Sequence, residues 1–120
     1  SKDIFYILGI IIVTMGFILA FSLMKSPTYQ PSQYDEFAKC LASKNITMYG
    51  ASWCPHCQNQ KKDFGDSFHF ISYVECPDNP QKCDAAGVNS YPTWILPDGK
   101  KLIGEQALDN LSKESGCPLI

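Results

Sequence analysis

The sequence contains no arginine, and its ten basic residues are lysines scattered along the chain. Arginine supplies the planar, two-pronged contacts that hold phosphate groups, so its absence excludes an arginine phosphate clamp. Because the lysines form no cluster and the net charge is −2, the chain also lacks the basic patch that nucleic-acid binding requires. The composition therefore predicts no nucleic-acid partner.

An uncharged apolar run occupies residues 4–24 of a chain of 120 residues. About ninety residues remain for folding, enough for one small domain. A run of 21 residues can cross a bilayer as a helix, whereas the apolar core of a cleaved signal peptide has roughly 7–15 residues. We therefore expect an N-terminal transmembrane anchor at residues 1–25, with cleavage near Ala20-Phe21-Ser22 as the alternative.

Six cysteines follow the apolar run, and none lies within it: Cys40, Cys54, Cys57, Cys76, Cys83 and Cys117. An even number of cysteines behind an anchor is typical of disulfide bonds in an oxidising compartment. The lysines point the other way, since Lys2 precedes the run and Lys25, Lys39 and Lys44 follow it, but a domain of this size crosses a membrane largely regardless of charge. We therefore predict a single-pass membrane protein whose domain lies on the extracytoplasmic side. A reduced cytosolic metal-binding domain is the alternative.

The remaining chain divides into a polar linker at residues 26–33 and an alternating domain at residues 34–120. Two prolines and small polar residues indicate the linker. The domain has helical patterns at residues 34–43, 55–64, just before Gly87, and 107–115, and strand patterns at residues 46–50, 68–75, 92–96 and 101–104. This alternation predicts an α/β fold with a mixed central sheet and helices on both faces.

The motif Trp53-Cys54-Pro55-His56-Cys57 lies between a predicted strand and a predicted helix. Free N–H groups and the helix dipole at a helix start stabilise a thiolate at Cys54, and Pro55 suits the first helical turn. Cys57 lies one turn on, so the two sulfurs can close and reopen a disulfide. We predict Cys54, expected to be exposed, as the nucleophile and Cys57 as the resolving cysteine. A structural disulfide or half of a zinc site is the alternative.

His56 is expected to influence whether the cysteine pair acts as an oxidant or as a reductant. A charged imidazole beside the helix start favours the Cys54 thiolate. A stabilised thiolate makes the reduced pair more stable and its disulfide a stronger oxidant.

A second feature is Tyr91-Pro92-Thr93 at the start of a predicted strand, where proline is tolerated. A cis Tyr91–Pro92 bond would place this backbone against the active disulfide, leaving polar groups free to pair with an extended substrate. Most such bonds are trans, and only the combination with the cysteine motif favours cis. We expect Trp53, Tyr91 and Thr93 to border a substrate groove, with core packing as the alternative for the tryptophans.

These features together resemble the thioredoxin superfamily. The resemblance is closer to the thioredoxin-like domain found fused to, or alongside, bacterial and plant vitamin K epoxide reductase homologues. It is carried by F-A-K-C-L at residues 37–41, M-Y-G-A-S-W-C-P-H-C-Q at 48–58, Y-V-E-C at 73–76 and Y-P-T-W at 91–94. It implies a thiol–disulfide oxidoreductase without a cofactor, which oxidises exported proteins and passes electrons to an integral-membrane quinone reductase.

The sequence departs from that family in two respects. It has one apolar span instead of the helical bundle that carries the quinone, so the resemblance implies a separate vitamin K epoxide reductase-like partner. Met48 stands where thioredoxins have a buried aspartate that helps to move protons. The missing base fits an oxidant better than a reductase.

The other four cysteines are expected to form two further disulfides. Cys76 and Cys83 enclose a short loop containing proline, and the resemblance supports their pairing. By elimination Cys40 pairs with Cys117, with free thiols or intermolecular bonds as alternatives. We expect no metal site, because the spacing of Cys76 and Cys83 is too wide for a usual zinc knuckle.

Two other function classes compete with a protein disulfide oxidase. The same fold could work as a disulfide reductase or isomerase. A Cu(I) or thiol chaperone, or a disulfide-stabilised adaptor, would instead be non-catalytic.

Overall fold

The computed structural model describes residues 1–23 and 31–119. The chain forms two compact units, residues 1–30 and 31–120, each described by itself below. Residues 24–25 of the expected anchor and 26–30 of the expected linker lie outside the described residues.

The described residues of the first unit form one helix, α1 (Lys2–Ser22), in which no residue is buried. Its apolar side chains point in every direction, as the sequence predicted for a helix that does not pack in a domain core. By length and composition α1 can cross a membrane, and a signal sequence would pass the same test.

The second unit is built on a mixed four-stranded sheet. Its strands are β1 (Thr47–Gly50), β2 (Ser72–Glu75), β3 (Thr93–Ile95) and β4 (Lys101–Ile103). They lie in the order β2-β1-β3-β4, with β1 parallel to β2 and antiparallel to β3, and β3 antiparallel to β4. The predicted mixed sheet is confirmed.

Four helices belong to this unit: α2 (Asp35–Ser43), α3 (Pro55–Phe64), α4 (Pro80–Ala85) and α5 (Leu108–Ser115). Both α3 and α4 begin with proline in the first turn, where no backbone N–H is needed. Gly116 ends α5 in the left-handed conformation that favours glycine. The order of helices and strands agrees with the sequence pattern.

The helices cover both faces of the sheet. Met48 and Trp94 lie on one face, in a core shared with Phe37, Phe64 and Leu111 from α2, α3 and α5. Neighbouring residues of a strand point to opposite faces, so Tyr49 and Ile95 face a second cluster, which contains Val74, Cys76, Cys83 and Val88 and includes one residue of α4.

The prediction of a strand over residues 68–75 is wrong in its first half. Residues Gly65–Phe70 form a 3-10 helix, and only Ser72–Glu75 are strand. Gly65 has a φ of 58°, which ends α3 and turns the chain. Phe68 then lies edge-on to Phe64, at 6.0 Å between ring centroids. A contact between residues four apart is typical of helical geometry, and here it replaces the extended backbone that the phenylalanines alone would favour.

Candidate active site

The loop between β1 and α3 brings the two cysteines of the motif to the start of α3. Cys54 is the N-cap residue, and its Sγ accepts a hydrogen bond from the Cys57 N–H at 3.3 Å. Pro55 occupies the first turn of the helix, as predicted. The free backbone N–H of Cys57 at the helix start therefore points towards the Cys54 sulfur, where it can donate to a negatively charged sulfur.

Both sulfurs are free thiols in this structure. Cys54 is 5% exposed and Cys57 is completely buried. The expectation that Cys54 is exposed is therefore wrong, because the chain around residue 91 covers its sulfur. Cys54 is still the more accessible of the two, which agrees with the order of attack that the motif predicts.

The backbone before Pro92 lies against the active cysteine. The Tyr91–Pro92 peptide bond is cis, as expected from its combination with the cysteine motif. The Cys54 thiol donates a hydrogen bond to the Tyr91 carbonyl oxygen at 3.7 Å.

The expected groove residues differ in their exposure. Trp53 is 66% exposed and lies edge-on to the partly exposed Tyr91, at 6.1 Å between ring centroids. Thr93 is only 2% exposed, and its hydroxyl donates to the Ser90 carbonyl oxygen. The prediction is therefore wrong for the Thr93 side chain, because the alternation of β3 turns it inward. Trp94 is a core residue whose indole N–H donates to Gln60.

His56 has an acidic partner that the sequence did not indicate. Its Nδ1 lies 2.7 Å from Glu105 Oε1, and Asn59 Nδ2 donates to the same oxygen at 3.2 Å. The hydrogen bonds from His56 and Asn59 lower the pKa of the Glu105 carboxyl below its usual value. Glu105 is distant in sequence and follows β4, so only the fold brings it to α3.

The buried environment of Cys57 opposes its ionisation. Burial raises the pKa of the Cys57 thiol to about 12, and its hydrogen bond with Cys54 acts in the same direction. At neutral pH the resolving sulfur is therefore a protonated thiol.

A polar pair that no sequence motif indicated lies near Cys57, because the Cys57 sulfur and the Tyr73 phenol border the same space at Gly50. Tyr73 Oη donates a hydrogen bond to Glu75 Oε2 at 2.6 Å, and the Ser52 N–H donates to Glu75 Oε1 at 2.7 Å. Tyr73 pairs with Met48 across the sheet, and Glu75 pairs with Gly50. The two residues are two apart on one strand and therefore share a face of the sheet. This spacing, and the place of both residues in the Y-V-E-C stretch, are the signals that the sequence offered.

The other four cysteines form two disulfides, Cys40–Cys117 and Cys76–Cys83. The first joins α2 to the chain just after α5, and the second links the 3-10 turn Cys76–Asp78 to α4. Because Cys76 and Cys83 are bonded to each other, they do not add thiolate ligands to Cys54 and Cys57. In the described part of the chain, no three His, Cys, Asp or Glu side chains are grouped as a metal site.

Comparison with known structures identifies the architecture. A mutant thioredoxin from Halobacterium salinarum NRC-1 superposes with a TM-score of 0.53 at 18% sequence identity, covering 76% of this chain and 99% of that one. The chain has a thioredoxin-like fold. Within that fold, the cysteine motif stands at the start of α3, and the cis peptide bond faces it from the start of β3.

Comparison of sequences finds a plant relative. Thiol-disulfide oxidoreductase LTO1 of Arabidopsis thaliana is 42% identical over 91 residues, which cover 68% of this chain and 24% of that protein. The chain thus spans about a quarter of the length of this curated relative. No protein-family model matches the chain.

Proposed function

We propose that this protein is a membrane-anchored thiol–disulfide oxidoreductase that oxidises cysteines of exported proteins. The observation that carries the proposal is the pairing of Cys54 and Cys57 at the start of α3, where a backbone N–H reaches the Cys54 sulfur at 3.3 Å. The name of the plant relative, a thiol-disulfide oxidoreductase, supports the same chemistry.

The proposed reaction begins with the Cys54–Cys57 disulfide. A client thiolate attacks Cys54 Sγ, and Cys57 leaves as a thiolate that takes up a proton. A second client thiolate then attacks the client sulfur of the mixed disulfide and releases Cys54 as a thiolate. The client gains one disulfide, and the two electrons remain on the reduced Cys54–Cys57 pair.

The surroundings of Cys54 suit a protein substrate. The Tyr91 carbonyl next to the sulfur can pair with an extended client backbone once the client sulfur replaces the thiol proton. The exposed Trp53 ring beside Tyr91 offers an apolar surface to client side chains. His56, whose ring is held by Glu105, lies in the first turn of α3, two residues after Cys54.

We further propose that α1 anchors the domain on the extracytoplasmic side. The two disulfides outside the active pair support an oxidising compartment. The reduced pair would pass its electrons to a vitamin K epoxide reductase-like quinone reductase in the membrane.

Trapping with Cys57→Ala tests the proposed reaction. Without Cys57, the Cys54 thiolate can still attack the disulfide of the reoxidising partner or of an oxidised client, and no neighbouring thiol then releases it. Mixed disulfides through Cys54 should therefore accumulate in cells, and mass spectrometry should identify exported clients and the reoxidising partner. Cys54→Ala is the matched control and should trap nothing. If neither variant forms adducts and the reduced domain binds Cu(I) tightly, a metal chaperone is the better explanation.

Membrane extraction tests the anchor. The full chain should stay in the membrane pellet after alkaline carbonate washing, whereas a peripheral protein would be released. A membrane-impermeant thiol reagent should label Cys54 of the Cys57→Ala variant in intact cells. If the cells have an outer membrane, it is permeabilised first. Labelling that requires lysis would place the domain in the cytoplasm and contradict the proposal.

A further inference from the structure

The side chains beside Cys57 suggest a path for its proton. We propose that Tyr73 and Glu75 form a proton relay, which accepts the Cys57 proton when that residue attacks Cys54 and returns it in the reverse step. This inference rests on the proposed thiol–disulfide exchange, and it names residues for a step that the cysteine motif does not itself perform.

The sheet brings the relay to the sulfur through Gly50. A methyl group on Gly50 would lie 3.0 Å from Cys57 Sγ and 3.3 Å from Tyr73 Oη. The sulfur and the phenol oxygen therefore border the same small space, which stays open because residue 50 has no side chain. Met48 on the same strand is buried and has no group that could accept a proton.

The hydrogen bonds give the relay a direction. A phenol has one proton to donate, and Tyr73 donates it to Glu75 Oε2 at 2.6 Å. Towards Cys57, the phenol oxygen can therefore only accept. Glu75 is held in place through its other oxygen, which accepts the Ser52 N–H at 2.7 Å.

The charges around the relay keep its terminal acceptor ionised. Burial by itself raises the pKa of Glu75, but the hydrogen bonds from Tyr73 and Ser52, with the positive charge of Lys61, lower that pKa overall. Lys61 Nζ lies 4.2 Å from the centroid of the Tyr73 ring. The titratable groups that act on the relay are thus Cys54, Cys57 and Lys61, all from the start and middle of α3.

The proton and electron balance of the step is complete. In a mixed disulfide between Cys54 and a second thiol, the Cys57 S–H proton passes to Tyr73 Oη while the Tyr73 proton passes to Glu75. The Cys57 thiolate attacks Cys54 Sγ, forms the Cys54–Cys57 disulfide and expels the second thiol as a thiolate. Glu75 is partly exposed and can return the proton to water.

The experiment separates the two steps of exchange with glutathione disulfide. The reduced full chain in detergent is mixed with glutathione disulfide, quenched with acid and analysed by mass spectrometry over time. In Tyr73→Phe and in Glu75→Gln, the Cys54–glutathione adduct should form at the wild-type rate. Its resolution by Cys57 should be at least roughly tenfold slower at pH 7, since a positioned proton acceptor contributes that much or more.

A pH profile distinguishes the relay from a structural role. The defect of both variants should shrink as the pH rises, because hydroxide then deprotonates Cys57 without help. Tyr49→Phe is the matched control: it removes a hydroxyl from the neighbouring strand, but its ring packs on the opposite face of the sheet. Both steps should be unchanged in this control.

Three results would be decisive against the inference. The relay would be overturned if Cys57 resolved the adduct at the wild-type rate in both variants, or if adduct formation and resolution were slowed equally. Either result would leave the proposed thiol–disulfide exchange standing. If Tyr73→Phe loses its cooperative thermal transition, Glu75→Gln decides by the same criteria. Failure of the wild-type protein to form any glutathione adduct would overturn the proposed function, and the relay with it.

Discussion

Gly50 faces Cys57 and Tyr73 across a space that has no room for a side chain. In Gly50→Ala, the new methyl would lie 3.0 Å from Cys57 Sγ and 3.2 Å from the Tyr73 ring. Overpacking of this kind costs about 1–3 kcal/mol, because the sheet and α3 hold both neighbours in place. We expect a lower urea midpoint with an unchanged slope. Gly9→Ala is the control, since nothing lies within 4 Å of that position. A wild-type midpoint for Gly50→Ala would show that the space can widen without cost.

The resolving cysteine should titrate far above an ordinary thiol. Burial raises the pKa of Cys57 to about 12 from an ordinary 9.0. The folded protein holds this proton more tightly than the unfolded chain, so the resulting stability is complete below pH 9.0 and is lost as the pH rises towards 12. In the Cys54→Ser variant, ultraviolet thiolate absorbance should therefore appear only well above pH 9.0 when folded, and near it in denaturant. A folded transition at or below 9.0 would contradict the burial argument.

The Cys40–Cys117 disulfide joins the first helix of the domain to the chain after its last helix. Its partners are 77 residues apart, whereas those of Cys76–Cys83 are seven apart. A disulfide stabilises the folded state because it reduces the chain entropy of the unfolded state. This stabilisation is about 4.5 kcal/mol for the long loop and about 2.5 kcal/mol for the short one. Replacing both cysteines of the long bridge by serine should therefore destabilise the domain more than the same change in the short bridge, as measured by urea unfolding. The reverse order would show that local packing of the short loop dominates.

The local patterns of the sequence predict the elements well where one signal is strong. Residues 55–64 begin with proline and end before a glycine, and α3 has these bounds. The strand prediction fails at residues 68–70 because their aromatic side chains suit strands, while the contact of Phe68 with Phe64 depends on how the chain leaves α3. A local pattern does not contain that information.

The sequence predicts the site residues that belong to short motifs, but not the contacts between residues that are distant in the chain. Cys54, Cys57 and the cis bond before Pro92 follow from short motifs. Glu105 reaches His56 from 49 residues away. The strand register sets Tyr73 and Glu75 beside Met48 and Gly50. The burial of Cys54 likewise depends on the chain at residue 91. These contacts depend on the packing of separate elements, which periodicity does not fix.

For the molecule as a whole, the direction of the reaction is a thermodynamic property of the fold. An interaction that stabilises the Cys54 thiolate, such as the Cys57 N–H or the imidazole of His56, favours the reduced state. Because the redox and folding equilibria form one cycle, a folded pair that is more oxidising than the same pair in the unfolded chain must be more stable when reduced. Each 30 mV of that difference corresponds to about 1.4 kcal/mol.

We therefore predict a reduction potential close to the roughly −120 mV of a strong thiol oxidant, and not to the roughly −270 mV of a reducing thioredoxin. Equilibration with glutathione buffers gives the potential, and urea unfolding of both redox forms gives the stability difference independently. The reduced form should unfold at the higher urea concentration, by an amount that matches the measured potentials. His56→Ala should lower the potential, whereas His69→Ala, at a histidine of the 3-10 helix Gly65–Phe70 and outside the active motif, should leave it unchanged. A wild-type potential near that of thioredoxin, with the oxidised form the more stable one, would identify a reductase and reverse the proposed flow of electrons.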